Sequence, residues 1–254
     1  MLEKYRECTK KFLEKLDAKD FDSSATLQSL EDLMPLLFEL KSMNTNINSM
    51  VDLGCGYGGL TRLIADYLGV KHVYGIDLDD ERLKIARSRN IITYKVNLEE
   101  DKLPFDDETI DLVTSFGVLE HLRFYDNPIK ESYRILRKEG YVLFSIPNLG
   151  SWINRLALLL GYQPRDVEIS NERAFGVLGL YPDKGFLNHI HSSTLKAFTE
   201  MLEYYGFRIV KIIGLHPYQE LHSGIVNALV KILDKMFSIR PSLCRRIIVL
   251  AIKS

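Results

Sequence analysis

Apolar positions along this chain recur with two periods. Over residues 2–20 (Leu2, Tyr5, Phe12, Leu13, Leu16) and 25–41 (Leu27, Leu30, Leu33, Met34, Leu37, Leu40) the spacing predicts two amphipathic helices. The polar run Asn44–Ser49 interrupts that pattern. From there short β-rich runs alternate with helical spacing: a strand near 50–53, a helix over 60–68, a strand over 71–76, a helix over 81–89 and a strand over 91–96. A strand over 110–115 follows, then a helix opening at Asn127-Pro128 and ending near Lys138, then a strand over 141–146. Alternation of this kind predicts an α/β fold with a parallel sheet. Residues 150–191 break the rhythm, with a short apolar helix over 152–160 and a long loop. A loop of that length in a compact domain is more often functional than decorative. A helix over 192–205 and strands over 207–215 and 246–252 close the chain, with a helical insertion over 223–238 between the two strands.

The first strand runs into Asp52-Leu53-Gly54-Cys55-Gly56-Tyr57-Gly58-Gly59. Strand, glycine turn, helix is the arrangement that receives a nucleotide cofactor, because glycine tolerates positive φ and lets a ligand approach the backbone. The glycines alone do not choose the cofactor. Gly54, Gly56 and Gly59 satisfy the dinucleotide pattern, whereas Gly54, Gly56 and Gly58 satisfy a tighter one with Asp52 ahead of it. Asp77, about 20 residues on, holds a ribose in either reading.

Composition narrows the field. With 254 residues and 46% apolar content the chain can bury the core of one domain. A net charge of −1 argues against a nucleic-acid partner held by bulk phosphate neutralisation. Three widely spaced cysteines give neither a disulfide framework nor a zinc site, and the charged N-terminus lacks a signal peptide's apolar core, so a cytoplasmic location is expected.

Further residues separate the cofactors: Asn97-Leu98 after the third strand, Leu103-Pro104-Phe105, and Phe116 through Glu120-His121 after the fourth. With Asp52 and the glycines, these resemble the class I S-adenosylmethionine-dependent methyltransferases, in the branch acting on small molecules, lipids and natural products. The resemblance covers roughly residues 49–148. It implies a Rossmann-like, seven-stranded, mostly parallel sheet with an antiparallel last strand, helices on both faces and a helical cap over the active site. The cap is assigned to residues 1–45 and 149–191, the cofactor-binding core to 46–148, and the last helix, strands and insertion to 192–254.

The resemblance also implies roles. The backbone of Gly54, Cys55, Gly56 and Gly58 would pass beneath the amino acid part of S-adenosylmethionine, with Asp52 organising the turn or meeting its ammonium. Asp77 would accept the ribose hydroxyls and Leu78 would pack on the adenine. Asn97 and Leu98 would meet the adenine edge, where the family usually has Asp-Leu; an amide oxygen accepts without the charge. Phe116 would face the methionine end, and His121 the transferred methyl. His121, His189 and His191 are the candidate acid–base residues, and Arg165, Arg173 and Tyr181 could line the acceptor pocket. His189 and His191 by themselves make no metal site.

The expected reaction is O-methylation of a small-molecule, sugar or lipid-linked acceptor, leaving S-adenosylhomocysteine. An NAD(P)-dependent oxidoreductase and a non-catalytic cofactor-binding protein are the competing readings. The wide apolar stripe over 223–239 (Val226, Leu229, Val230, Leu233, Phe237) suggests core packing, a homodimer contact or a weak membrane-surface contact.

Overall fold

The computed structural model describes residues 24–43, 46–180, 185, 187–215 and 224–254, with side chains from residue 33 onward in the first helix. The helix expected over 2–20 lies outside these residues, as do Cys8 and Tyr181. Six strands in sequence, β1 (Ser49–Leu53), β2 (His72–Asp77), β3 (Ile92–Lys95), β4 (Ile110–Phe116), β5 (Leu136–Pro147) and β6 (Phe207–Leu215), are followed by β7 (Arg246–Lys253). They form one sheet in the order β3-β2-β1-β4-β5-β7-β6. Pairing is parallel from β3 through β5, and β7 runs antiparallel to both β5 and β6. The last strand alone reverses direction.

Alternation within the buried strands builds two cores at once. In β7, Ile248, Leu250 and Ile252 belong to one cluster, while Ile247, Val249 and Ala251 belong to the other. This is why the strands read as unbroken apolar runs: both faces of the sheet are covered. One face is covered by α1 (Ser24–Ser42), α2 (Gly59–Leu68) and α3 (Asp80–Ser88), through Leu37, Ile64 and Leu83 among others. The other is covered by α4 (Asp126–Ile135) and α6 (Leu195–Tyr204), through Ile129 and Phe198. The described part of α1 packs into the layer that covers the first of these faces.

Two details differ from the sequence expectation. α4 begins at Asp126, one residue before the expected cap, and the Asn127 amide donates instead to the carbonyls of Leu98 and Asp101 (2.9 and 3.0 Å), tethering the turn after β3. β5 begins at Leu136 and carries a register shift against β4, with Glu139 at φ 60°. The Asp79 side chain caps α3, accepting from the N–H groups of Glu81 and Arg82, as its position predicts. α5 (Trp152–Leu159) and α7 (Gly224–Phe237) lie outside the two sheet-covering layers and share a small core of their own, built on Trp152, Ile153 and Val230.

Candidate functional site

β1 and β4 are neighbours, and the chain leaves them for opposite sides of the sheet. A crevice therefore opens beyond their carboxyl ends, where open α/β sheets take their ligands. A cavity of about 450 Å³ lies there, within the range of small-ligand clefts. Gly54, Gly117 and Val118 contribute from the ends of β1 and β4, Asp77 and Leu78 from the end of β2, and Arg82 from the first turn of α3. The turn after β3 adds Val96, Asn97, Leu98 and Glu99, and His121, Leu122 and Asn188 complete the lining.

The glycine turn has three left-handed residues, Gly54 (φ 74°), Gly56 (φ 54°) and Gly58 (φ 79°). Its N–H groups serve the fold. Those of Gly54 and Cys55 both donate to the Ile76 carbonyl (2.7 and 2.8 Å), that of Gly56 donates to Asp77 Oδ2 (2.9 Å), and that of Gly58 donates to the Cys55 carbonyl (2.9 Å). The turn thus welds β1 to β2. At Gly54 the missing side chain matters a second time, because a Cβ there would fall 2.1 Å from Val118 Cγ2. Gly58 is packed against Ala86 and Ile91, away from the cavity wall. Cys55 is also turned away: its Sγ occupies the space a Cβ on Gly75 would need, and burial pushes its thiol pKa up, which suits a packing residue and not a nucleophile.

Asp52 is 4% exposed and does not line the cavity. Both its oxygens accept from threonine hydroxyls, Thr61 on α2 and Thr114 on β4. Of the two tasks expected of it, bracing the turn is the one this geometry supports. Asp77 is placed differently. Its Oδ1 accepts from the N–H groups of Leu78 (2.8 Å) and Asp79 (3.0 Å), and Oδ2 from Gly56, so three backbone donors orient a carboxylate that stands at the cavity wall. Beside it Leu78 is 57% exposed, a large apolar side chain offered to the cavity. Asn97 lines the same cavity, with its Oδ1 already accepting from the Glu99 N–H (3.0 Å). An anionic acceptor next to Leu78, Val96 and Leu98 suits a ligand with a hydroxyl-bearing ring and a flat, weakly polar ring. Those are the two halves of adenosine. Phe116 is half-buried and packs into the α1-side core, and the next two residues, Gly117 and Val118, line the cavity.

The 3₁₀ turn Leu119–His121 follows β4. Glu120, 1% exposed, accepts from Arg246 Nη2 on β7 (3.0 Å), and its backbone carbonyl accepts from the N–H groups of Ile190 and His191 (2.8 and 3.2 Å). It fastens residues 190–191 beside the cavity. The His121 Nδ1 lies 2.6 Å from the Asn188 carbonyl and so donates to it, which leaves Nε2 as the acceptor. The His189 ring packs edge-on to His121 with centroids 5.2 Å apart, and burial holds its pKa below the ordinary value, so it is neutral at neutral pH. Glu120, His121 and His189 bring potential ligand atoms within 4.8 Å of one another, but the Arg246 guanidinium already balances the Glu120 charge. An ion-paired carboxylate beside a guanidinium is poorly suited to a divalent cation.

His191 goes elsewhere. Residues 187–191 form no strand, so His189 and His191 do not share a face, and His191 is exposed against Phe124 with ring centroids 6.2 Å apart. Arg165 is buried and paired with Glu168 (3.1 Å), whose carboxylate accepts from the N–H groups of Leu187 and His189. It therefore shapes the His189 segment from within. Arg173 is exposed over the Phe175 ring. Sequence reasoning missed Arg82, Val96, Glu99, Gly117, Val118, Leu122 and Asn188 as lining residues. Gly117 and Asn188 carried a usable hint, since both are residue types that tolerate the positive φ they adopt (70° and 62°).

Residues 51–144 match a family model described as a methyltransferase domain. A probable S-adenosylmethionine-dependent methyltransferase of Mycolicibacterium smegmatis is 31% identical over 170 residues, which cover 65% of this chain and 54% of that protein. A ubiquinone biosynthesis O-methyltransferase of Hydrogenovibrio crunogenus is 30% identical over 135 residues, covering 50% of this chain and 55% of that one. The chain spans about half the length of these relatives. Among solved structures, an S-adenosylmethionine-dependent methyltransferase from Mesorhizobium loti shares the fold, with a TM-score of 0.56 at 19% identity over 87% of this chain and 97% of that one. Motif order and these similarities agree over residues 51–144, which resemble a methyltransferase domain, and the sheet topology is shared with a solved S-adenosylmethionine-dependent methyltransferase.

Proposed function

We propose that this chain transfers the methyl group of S-adenosylmethionine to an oxygen of a small-molecule, sugar or lipid-linked acceptor. The observation that carries this reading is one cavity with Asp77 and Leu78 on one side of β1 and His121, backed by the His189 ring, on the other. Asp77, Leu78, Asn97 and Leu98 would hold the adenosine, which directs the amino acid and sulfonium end past Gly54 toward Gly117, Val118 and His121. The O-methyltransferase among the relatives supports oxygen as the acceptor atom.

Bound there, the cofactor supplies a methyl group already activated for in-line displacement. The protein's share is alignment, exclusion of water and, for a hydroxyl acceptor, removal of one proton. Alignment can contribute about 7–11 kcal/mol and a general base about 10²–10⁴-fold. His121 has its Nε2 free to accept and stands at the cavity; His189 stands behind it, uncharged. Residues 190 and 191 are fastened beside this end through the Glu120 carbonyl.

Isothermal titration with S-adenosylhomocysteine tests the cofactor assignment. Asp77→Ala should weaken binding at least about tenfold, or about 1.4 kcal/mol. Unchanged affinity, or a protein that binds nicotinamide nucleotides instead, would refute the reading. Transfer of radiolabelled methyl groups into fractionated cell extract then identifies the acceptor.

A further inference from the structure

Glu120 spends one carboxylate oxygen and keeps the other. Oε1 accepts from Arg246 Nη2 (3.0 Å), while Oε2 is buried and has no hydrogen-bond partner. His189 Nδ1 is in the same condition, buried and unpaired. A buried polar atom without a partner is costly, so two of them in neighbouring residues call for an account. Neighbours they are: Glu120 and His189, together with His121, bring side-chain ligand atoms within 4.8 Å of one another. The main chain around His189 is already fixed. The N–H groups of Leu187 and His189 donate to the Glu168 carboxylate, and those of Ile190 and His191 donate to the Glu120 carbonyl. What is left to adjust is the imidazole ring itself.

The chemistry of the two atoms is complementary. The Arg246 contact that makes this carboxylate a poor ligand for a cation leaves its second oxygen a good acceptor for a neutral N–H. A carboxylate that receives Nδ1–H fixes the tautomer of a histidine and leaves the lone pair on Nε2. The Asn188 carbonyl already does this for His121. Burial is the largest influence holding the His189 pKa down, and Glu120 is the largest one opposing it, ahead of Glu168, which is itself paired with Arg165. His121 and Arg246 add to the depression. Tyr125 is a further titratable group that feels the Glu120 charge.

We propose that Glu120 is a positioning residue for His189: its Oε2 accepts from Nδ1–H, sets the tautomer of the ring and stabilises its protonated form. The catalytic consequence rests on the methyl-transfer reading. There the acceptor O–H bond breaks as the oxygen–methyl bond forms, and the sulfonium C–S bond breaks with its electron pair left on sulfur. The proton goes to His121 Nε2, and a His189 held as the Nδ1–H tautomer offers it a second lone pair, with the Glu120 charge behind. Glu120 does not line the cavity and acts through His189.

NMR of the full chain, with isotope-labelled histidine ring nitrogens, tests this without an acceptor or a cofactor. The His189 signals are those lost in His189→Ala. In the wild type at neutral pH they should report Nδ1 protonated and Nε2 bare. In Glu120→Gln the amide oxygen stays on Arg246 and the amide nitrogen faces the ring as a donor, so the tautomer should reverse and the His189 pKa should fall by about 0.5 or more. A wild-type His189 protonated at Nε2 would overturn the proposal however the variant folds, and so would the same tautomer and pKa in both proteins. Either result leaves the methyl-transfer reading standing, because that reading is decided by calorimetry with S-adenosylhomocysteine. With the acceptor found by methyl labelling, Glu120→Gln should lower kcat about tenfold or more and leave S-adenosylhomocysteine affinity unchanged. An unaltered kcat would overturn the catalytic consequence.

Discussion

Asp52 and Asp77 stand at the ends of adjacent parallel strands, and their surroundings give them opposite tasks. Asp77 keeps contact with the cavity, whereas Asp52 is sealed beneath the turn, where burial, opposed by hydrogen bonds from Thr114 and Thr61, pushes its pKa up to about 6 from 3.8. The folded protein therefore holds this proton more tightly than the unfolded chain does. The associated stability is fully present below about pH 4 and is lost as pH rises through 6, by about 3 kcal/mol in all. Asp52→Asn cannot ionise and should lack that slope. Urea denaturation of both proteins between pH 4 and 7.5 should show the variant gaining on the wild type by up to that amount, and parallel curves would contradict the assignment.

The histidines divide at the same scale. His189→Ala should lower turnover by about 10²-fold or more while leaving S-adenosylhomocysteine affinity unchanged, whereas His191→Ala should leave both nearly unaltered. Steady-state kinetics with the acceptor found by methyl labelling, paired with calorimetry, checks both. Equal losses at the two positions would mean that the exposed ring of His191 reaches the acceptor after all. Sequence pattern singled out both residues but could not separate them, because the difference lies in how an irregular segment is pinned by Glu120 and Glu168.

At the level of elements, strands and helices were legible because their signals are local. The strand over 207–215, the insertion over 223–238 and the glycine turn with its helix agree with the structure to within a residue or two. What local pattern could not show is how the loops at the carboxyl ends meet. Gly54 is one case: positive φ explains part of its identity, and the close approach of Val118 from the loop after β4 explains the rest. Gly54→Ala should cost roughly 2–4 kcal/mol, combining left-handed strain with overpacking. Adding Val118→Ala should recover the overpacking part and leave the strain. A double-mutant cycle by chemical denaturation measures this, and strict additivity would show that the two residues do not compete for the same space.

At the scale of the whole molecule, the order of strands decides where chemistry can occur. β1 and β4 become neighbours only when the chain crosses back after β3, and that crossing creates the crevice that gathers residues from the ends of β1 through β4. Period and composition determined by themselves that the chain alternates strand and helix, that its sheet is parallel over most of its width, and that a cofactor turn follows β1. They did so because side-chain direction and backbone tolerance are set within a few residues along the chain. The tertiary structure alone decided that the glycine turn spends its N–H groups on β2, that His189 and not His191 meets His121, that α1 covers the sheet, and that one face of α7 is left outward. Each of these depends on groups far apart in sequence meeting in space, and burial, charge and hydrogen-bond capacity are properties of that meeting.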